Sequence, residues 1–225
     1  MKRILSRIYL ITFVLSFCSI VYELILAQTL SAFLADTVLR YSVTVGLYLF
    51  SLGIGSLLAE GTFLTAPAFY LIIVEILLAV LGGFSIVFLF VADALRLSGG
   101  VFSFLAHGLI ILIGILSGFE VPLLIALMDK DQPNRESLIL GFNYLGAFLG
   151  TIAFAFIFYP RLGLIPSSLL VGTMNALIGI LLFKAAGDKL PKGLFILQAL
   201  LLVLMVCCLL NASAINDYFI KLYLR

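Results

Sequence analysis

Apolar residues run along this chain in long, nearly unbroken blocks separated by short polar connectors. A helix rising 1.5 Å per residue needs about 20 apolar residues to cross about 30 Å of hydrocarbon. Seven blocks meet that length, at 8–32, 40–59, 67–91, 101–127, 137–158, 164–184 and 193–214. None shows the two-residue alternation of a membrane barrel, and helices satisfy their own backbone groups where water is absent. The pattern predicts an all-α integral membrane protein, a bundle of about seven transmembrane helices in one domain over 1–225. The connectors carry the expected punctuation: Asp36, Ala66 with Pro67, Asp93 through Gly100, Asp129 through Glu136, Pro160 with Gly163, and Gly187 through Pro191. No linker is long enough to separate two domains.

Composition agrees with lipid immersion. Hydrophobic residues make up 64% of the chain and charged ones 11%, with a mean hydropathy of +1.30, which excludes a water-soluble globule. The net charge of +2 gives no electrostatic case for nucleic acid. Met1-Lys2-Arg3 followed by apolar residues resembles a secretory signal, but the run is too long and no small-x-small site ends it. It is read as the first span. If the N-terminus is cytoplasmic, the inside carries Lys2, Arg3, Arg7, Lys130, Arg135, Lys184, Lys189 and Lys192, and the outside Arg40, Arg96, Arg161, Lys221 and Arg225. Eight against five favours that orientation and places the C-terminus outside.

Small residues recur at helical spacing: Gly46, Gly53 and Ser56; Gly114 and Gly118; Gly146 and Gly150; Gly172 and Gly179. Such stripes let helix backbones approach closely in membranes. The alternative is a substrate path that uses the free volume.

The candidate chemistry lies in acids within the blocks. A charged carboxylate near a bilayer centre costs at least about 2.5–3.5 kcal/mol, so each needs a partner, a proton or a wet cavity. Glu23, Glu75 and Glu120 are such acids, whereas Glu60 closes the second block and reads as a solvated helix end. Thr12, Ser16, Ser19, Glu23 and Ala27 share one helical face, with Tyr22 and Gln28 beside it as donors that can satisfy Glu23. Glu75, Ala79 and Gly82 repeat the arrangement, and Ser117 with Glu120 stands just before Pro122, a kink candidate. Two readings stay open for each acid: a hydrogen-bonded structural group, or a proton or cation site.

Other chemistry is sparse. His107 has no second histidine and lies thirteen residues from Glu120, on a different face. Cys18, Cys207 and Cys208 lie in apolar runs without ligand spacing, so they read as buried thiols and no metal site is expected. No nucleotide loop, zinc-protease or serine-hydrolase motif occurs, so neither a catalytic residue nor a cofactor is expected. Asn143, Asn175 and Gln198 can bridge helices.

Four stretches resemble one family in order: Cys18 through Leu24; Gly46 through Leu58 followed by Glu60; Gly118 through Leu123; and Asn143 through Gly150 to Pro160-Arg161-Leu162-Gly163-Leu164. The chain is similar to the N-terminal multi-span membrane domain of bacterial membrane-bound spermidine-synthase-like proteins, the polyamine aminopropyltransferases. One departure is Asn143, where the family pattern usually has Asp. Another is that the chain stops about where the catalytic domain is expected to begin. The resemblance implies a membrane-embedded domain or partner in the bacterial cytoplasmic membrane. It anchors a soluble aminopropyltransferase-like partner and handles a polyamine or related cation, with Glu23, Glu75, Glu120, Tyr22 and Asn143 as substrate or ion contacts. A catalytic domain following the last helix needs a cytoplasmic C-terminus, against the charge count. The competing reading is a small proton- or cation-coupled transporter or channel without an enzymatic partner, and a third is a purely structural scaffold.

Overall fold

The computed structural model describes residues 2–128, 135–186 and 190–223. All regular structure among them is helical. Seven stretches among the described residues are long and apolar enough to cross a membrane: Arg7–Leu34, Thr37–Leu58, Pro67–Ala94, Gly99–Ala126, Glu136–Leu162, Leu164–Phe183 and Lys192–Leu210. Each overlaps one of the seven apolar blocks of the sequence. The predicted connectors at 129–134 and 187–189 lie outside the described residues, with Lys130, Lys189 and Arg225 of the charge count. The side chains of Lys2, Arg3, Arg135 and Lys184 lie outside them too.

The helices are α1 (Lys2–Leu34), α2 (Thr37–Leu58), α3 (Pro67–Gly83), α4 (Ser85–Ala94), α5 (Gly99–Ala126), α6 (Arg135–Ala153), α7 (Leu164–Ala186), α8 (Lys192–Leu210) and α9 (Ala212–Tyr223). A two-residue reversal joins α1 to α2, with Ala35 and Asp36 both at positive φ. Asp36 also caps α2, accepting from the Leu39 amide at 3.3 Å. The third block is two helices, interrupted at Phe84. Pro122 lies inside α5 without ending it. The fifth block finishes in a π-helical stretch, Phe154–Leu162, whose wider turns accommodate Pro160. Gly163, at φ 83°, then redirects the chain into α7. The seventh stretch stops at Leu210 rather than 214, because the chain breaks at Asn211 and resumes as α9. That helix packs on α7, α4 and α8, burying Phe219.

Burial sorts the seven stretches into two groups. The apolar windows of the first, third, fourth and sixth are more than half buried, those of the second, fifth and seventh less than a quarter. α2 packs on α5 and α1, α6 on α1, and both α3 and α8 on α7. Three close seams rest on glycine. Gly114 and Gly118 bring α5 against Tyr48, Ser51, Leu52 and Gly55 of α2; a Cβ on Gly118 would stand 2.9 Å from the Gly55 Cα. Gly146 and Gly150 bring α6 against Phe13 and Phe17 of α1, and Gly172 meets Gly83 across α7 and α3.

The stripe expected on α2 is a correction. Gly46 and Gly53 have no foreign atom near the position a Cβ would take, and Gly55 is the contact residue instead. At about 100° per residue, Gly55 stands about 200° around the helix from Gly53, so the two cannot share a seam.

Gly118→Leu is expected to lower stability by about 1–3 kcal/mol through overpacking of the α2–α5 seam. Gly46→Ala is expected to cost nothing and to gain up to about 1 kcal/mol from reduced backbone freedom. Unfolding in detergent micelles, followed by circular dichroism, measures both.

Candidate functional site

The polar face of α1 turns inward. Thr12, Ser16, Glu23 and Ala27 are buried, and Ser19 is partly so. Thr12 and Thr29 return their hydroxyls to the Ile8 and Ile25 carbonyls of their own helix, which satisfies them locally. Ser16 and Ser19 instead reach across helices. Ser16 Oγ donates to the Asn143 side-chain oxygen, tying α1 to α6. The hydroxyl of the fully buried Tyr48 lies 3.0 Å from the Ser19 carbonyl, the Ser19 hydroxyl and the Ser117 hydroxyl. One phenol thus joins α2, α1 and α5.

Beside this network lies a cleft of about 310 Å³. On the same kind of measure one water needs roughly 10–15 Å³. Ser16, Ser19, Ile20 and Glu23 line it from α1, and Ser117, Gly118, Glu120 and Val121 from α5. Leu49, Leu52 and Ser56 of α2 form one flank, and Asn143, Tyr144 and Ala147 of α6 the other. Glu23 and Glu120 are 5% and 3% exposed. Glu120 Oε1 is buried with no hydrogen-bond partner. Among the described residues no group hydrogen-bonds the Glu23 carboxyl, and no Lys or Arg pairs with either acid.

The structure therefore brings Glu23, Glu120 and Asn143 to one cleft, while Glu75 and Tyr22 stand outside its lining. Glu75 is fully buried on α3, with both carboxyl oxygens unpartnered, and lies within electrostatic reach of Glu120. Tyr22 packs its ring against Gly82 and donates to the Leu78 carbonyl at 3.2 Å. Gln28 donates to Tyr159 at 2.9 Å and accepts from Tyr41. Tyr22 and Gln28 are thus committed away from Glu23, which leaves that acid without the donors expected for it.

The remaining polar candidates separate. Gln198 Nε2 bridges α8 to α7 through the Ala176 carbonyl at 2.7 Å. Asn175, fully buried on α7, has neither side-chain atom partnered. His107 Nδ1 is 2.6 Å from the Ser103 carbonyl on its own helix. No cluster of three or more His, Cys, Asp or Glu placed to hold a metal occurs among the described residues. Cys18 is buried, Cys208 partly exposed and Cys207 exposed on the outer side of α8, a correction to the reading of all three as buried. The residue that sequence reasoning missed is Tyr48. Its only signal is a phenol near the middle of an apolar block.

Chemically, two partnerless carboxyls facing a low-dielectric cleft have two stable conditions: each holds a proton, or a cation sits between them. This is an all-helical assembly of long apolar rods around an acid-lined cleft. The Ralstonia nicotianae protein named polyamine aminopropyltransferase 2 is 33% identical over 183 residues, which is 80% of this chain and 36% of that protein. The Leptospira interrogans polyamine aminopropyltransferase is 32% identical over 214 residues, 92% of this chain and 41% of that one. Polyamine aminopropyltransferase 2 of Streptomyces coelicolor is 35% identical over 178 residues, 74% of this chain and 32% of its own length. The chain is a homologue of one region of the bacterial polyamine aminopropyltransferases, and it spans about a third to two fifths of the length of these relatives. No family model and no solved structure matches it.

Tyr48→Phe is expected to lower stability by about 0.6–2 kcal/mol, the range for an interhelical hydrogen bond among apolar helices. Tyr144→Phe, at a side chain 69% exposed, is expected to change it by less than about 0.5 kcal/mol. Paired detergent-unfolding curves distinguish the two.

Proposed function

We propose that the chain is the membrane-embedded part or partner of a polyamine aminopropyltransferase-like enzyme, and that its acid-lined cleft holds an amine cation of that chemistry. The seven apolar stretches lie in the bacterial cytoplasmic membrane with the N-terminus on the cytoplasmic side, where they anchor a separate catalytic partner. The observation that carries the reading is the presence of Glu23 and Glu120 in the lining of one cleft, without a cation of the protein's own among the described residues. A protonated amine supplies both the charge and the hydrogen-bond donors that these oxygens lack. Homology to enzymes named for polyamines supplies the class of cation. Glu75, buried outside the cleft's lining with both oxygens unpartnered, is a third acid of the same kind.

The test is binding of an amine to the protein in lipid nanodiscs, with labelled spermidine as the probe. Saturable binding is expected, weakened at least tenfold by Glu23→Gln and by Glu120→Gln and only mildly by Asn175→Ala. Equal binding by wild type and the Glu23→Gln/Glu120→Gln double variant would overturn the cleft as the amine site. The anchoring role is tested by co-expression with an aminopropyltransferase catalytic domain: its recovery in washed membranes is expected to depend on this chain.

A further inference from the structure

The cleft opens sideways. Its flanks come from α2 and α6, which both pack on α1 and α5 and have no substantial packing on each other among the described residues. Leu49 and Tyr144, on the two flanks, are 57% and 69% exposed on the outer surface. Leu49 is the thirteenth of the 22 residues of α2, about 18 Å from its start at 1.5 Å per residue. In a hydrocarbon layer about 30 Å thick that depth is nearer the middle than either headgroup region. Glu23 is likewise the seventeenth residue of the 28-residue first stretch.

Five residues beyond Glu23 on α1, and outside the lining, Gln28 donates to Tyr159 of the π-helical stretch and accepts from Tyr41 of α2, so a polar bridge ties α2 to that stretch through α1. The lining is also divided by chemistry. Both acids stand on the inner helices α1 and α5, whereas α2 and α6 contribute Leu49, Leu52 and Ala147 together with Ser56, Asn143 and Tyr144.

We propose that this cleft takes its ligand from the bilayer rather than from water, and that the ligand is an amphiphilic amine. Its ammonium group lies against Glu23 and Glu120, and its alkyl chain leaves between α2 and α6 past Leu49 and Tyr144 into the lipid. The proposal rests on the reading of the acid pair as an amine site and narrows the amine. A hydrated polycation reaches this depth at a larger cost than a monocation, because several charges rather than one must be stripped of water. An amine carrying one long chain already keeps that chain in the bilayer and has a single charge to desolvate as it enters between the helices by lateral diffusion.

The experiment uses the protein in nanodiscs with three probes: labelled dodecylamine, spermidine and uncharged dodecanol. Dodecylamine is expected to bind saturably, at least tenfold more tightly than spermidine, with no competition by dodecanol. Glu23→Gln is expected to weaken it at least tenfold. Ala147→Trp, which fills the front of the slot and leaves both acids in place, is expected to do the same. A diazirine on the alkyl chain is expected to crosslink to α2 and α6. Spermidine binding without dodecylamine binding overturns the lateral route and leaves the amine site standing. Binding of neither probe overturns both readings. Dodecylamine binding unchanged in Glu23→Gln, or crosslinks confined to other helices, overturns the assignment of this cleft.

Discussion

A carboxyl enclosed by apolar helices is tolerable only if something answers its charge or its hydrogen-bonding capacity. This chain encloses three, Glu23, Glu75 and Glu120, and hands none of them a lysine or arginine among the described residues. The surrounding donors are occupied elsewhere. Tyr48 is held among Ser19 and Ser117, Ser16 serves Asn143, and Tyr22 serves Leu78. The polar network and the acids therefore divide the work. The hydroxyls hold α1, α2, α5 and α6 at fixed positions, and the acids between them stay available.

Geometry makes that division possible. Gly118 against Gly55 draws α2 onto α5, and Gly146 against Phe13 draws α6 onto α1. Two outer helices pulled tightly onto an inner pair leave a gap between themselves, and the cleft is that gap. Its volume does not come from missing side chains in the core; the apolar core residues of α1, such as Leu15 and Ile25, are at most 1% exposed. The same glycines that maximise contact in the seams thus create the opening beside them.

How much of this could be read beforehand follows from what periodicity encodes. Block length gave the seven apolar stretches, and a three- and four-residue repeat gave the inward face of α1, because both are properties of one helix. What stands opposite a face is a property of two. Adjacency along α1 points Tyr22 and Gln28 at Glu23, yet Tyr22 finds Leu78 and Gln28 finds Tyr41 and Tyr159, all on other helical segments. The role of Tyr48 is illegible for the same reason: its partners Ser19 and Ser117 are 29 and 69 residues away. The break at Asn211 was hidden because the residues after it remain apolar enough to extend a block, and only the packing of α9 on α7 and α4 shows a separate helix.

Asn143 shows how a single heavy-atom change adjusts the cleft. Asn and Asp each offer an oxygen to Ser16, so the α1–α6 tie would survive an exchange between them. What changes is charge. An ionised Asp beside Glu23 and Glu120 would place a third negative group in one low-dielectric space of about 310 Å³, and mutual repulsion would force protons onto some of them. With Asn the lining holds at most two charges, both on the inner helices and both without a competing donor. A cleft of that composition is matched by a ligand of low positive charge, and the exposed Leu49 and Tyr144 on its flanks suit a ligand whose remaining surface is hydrocarbon.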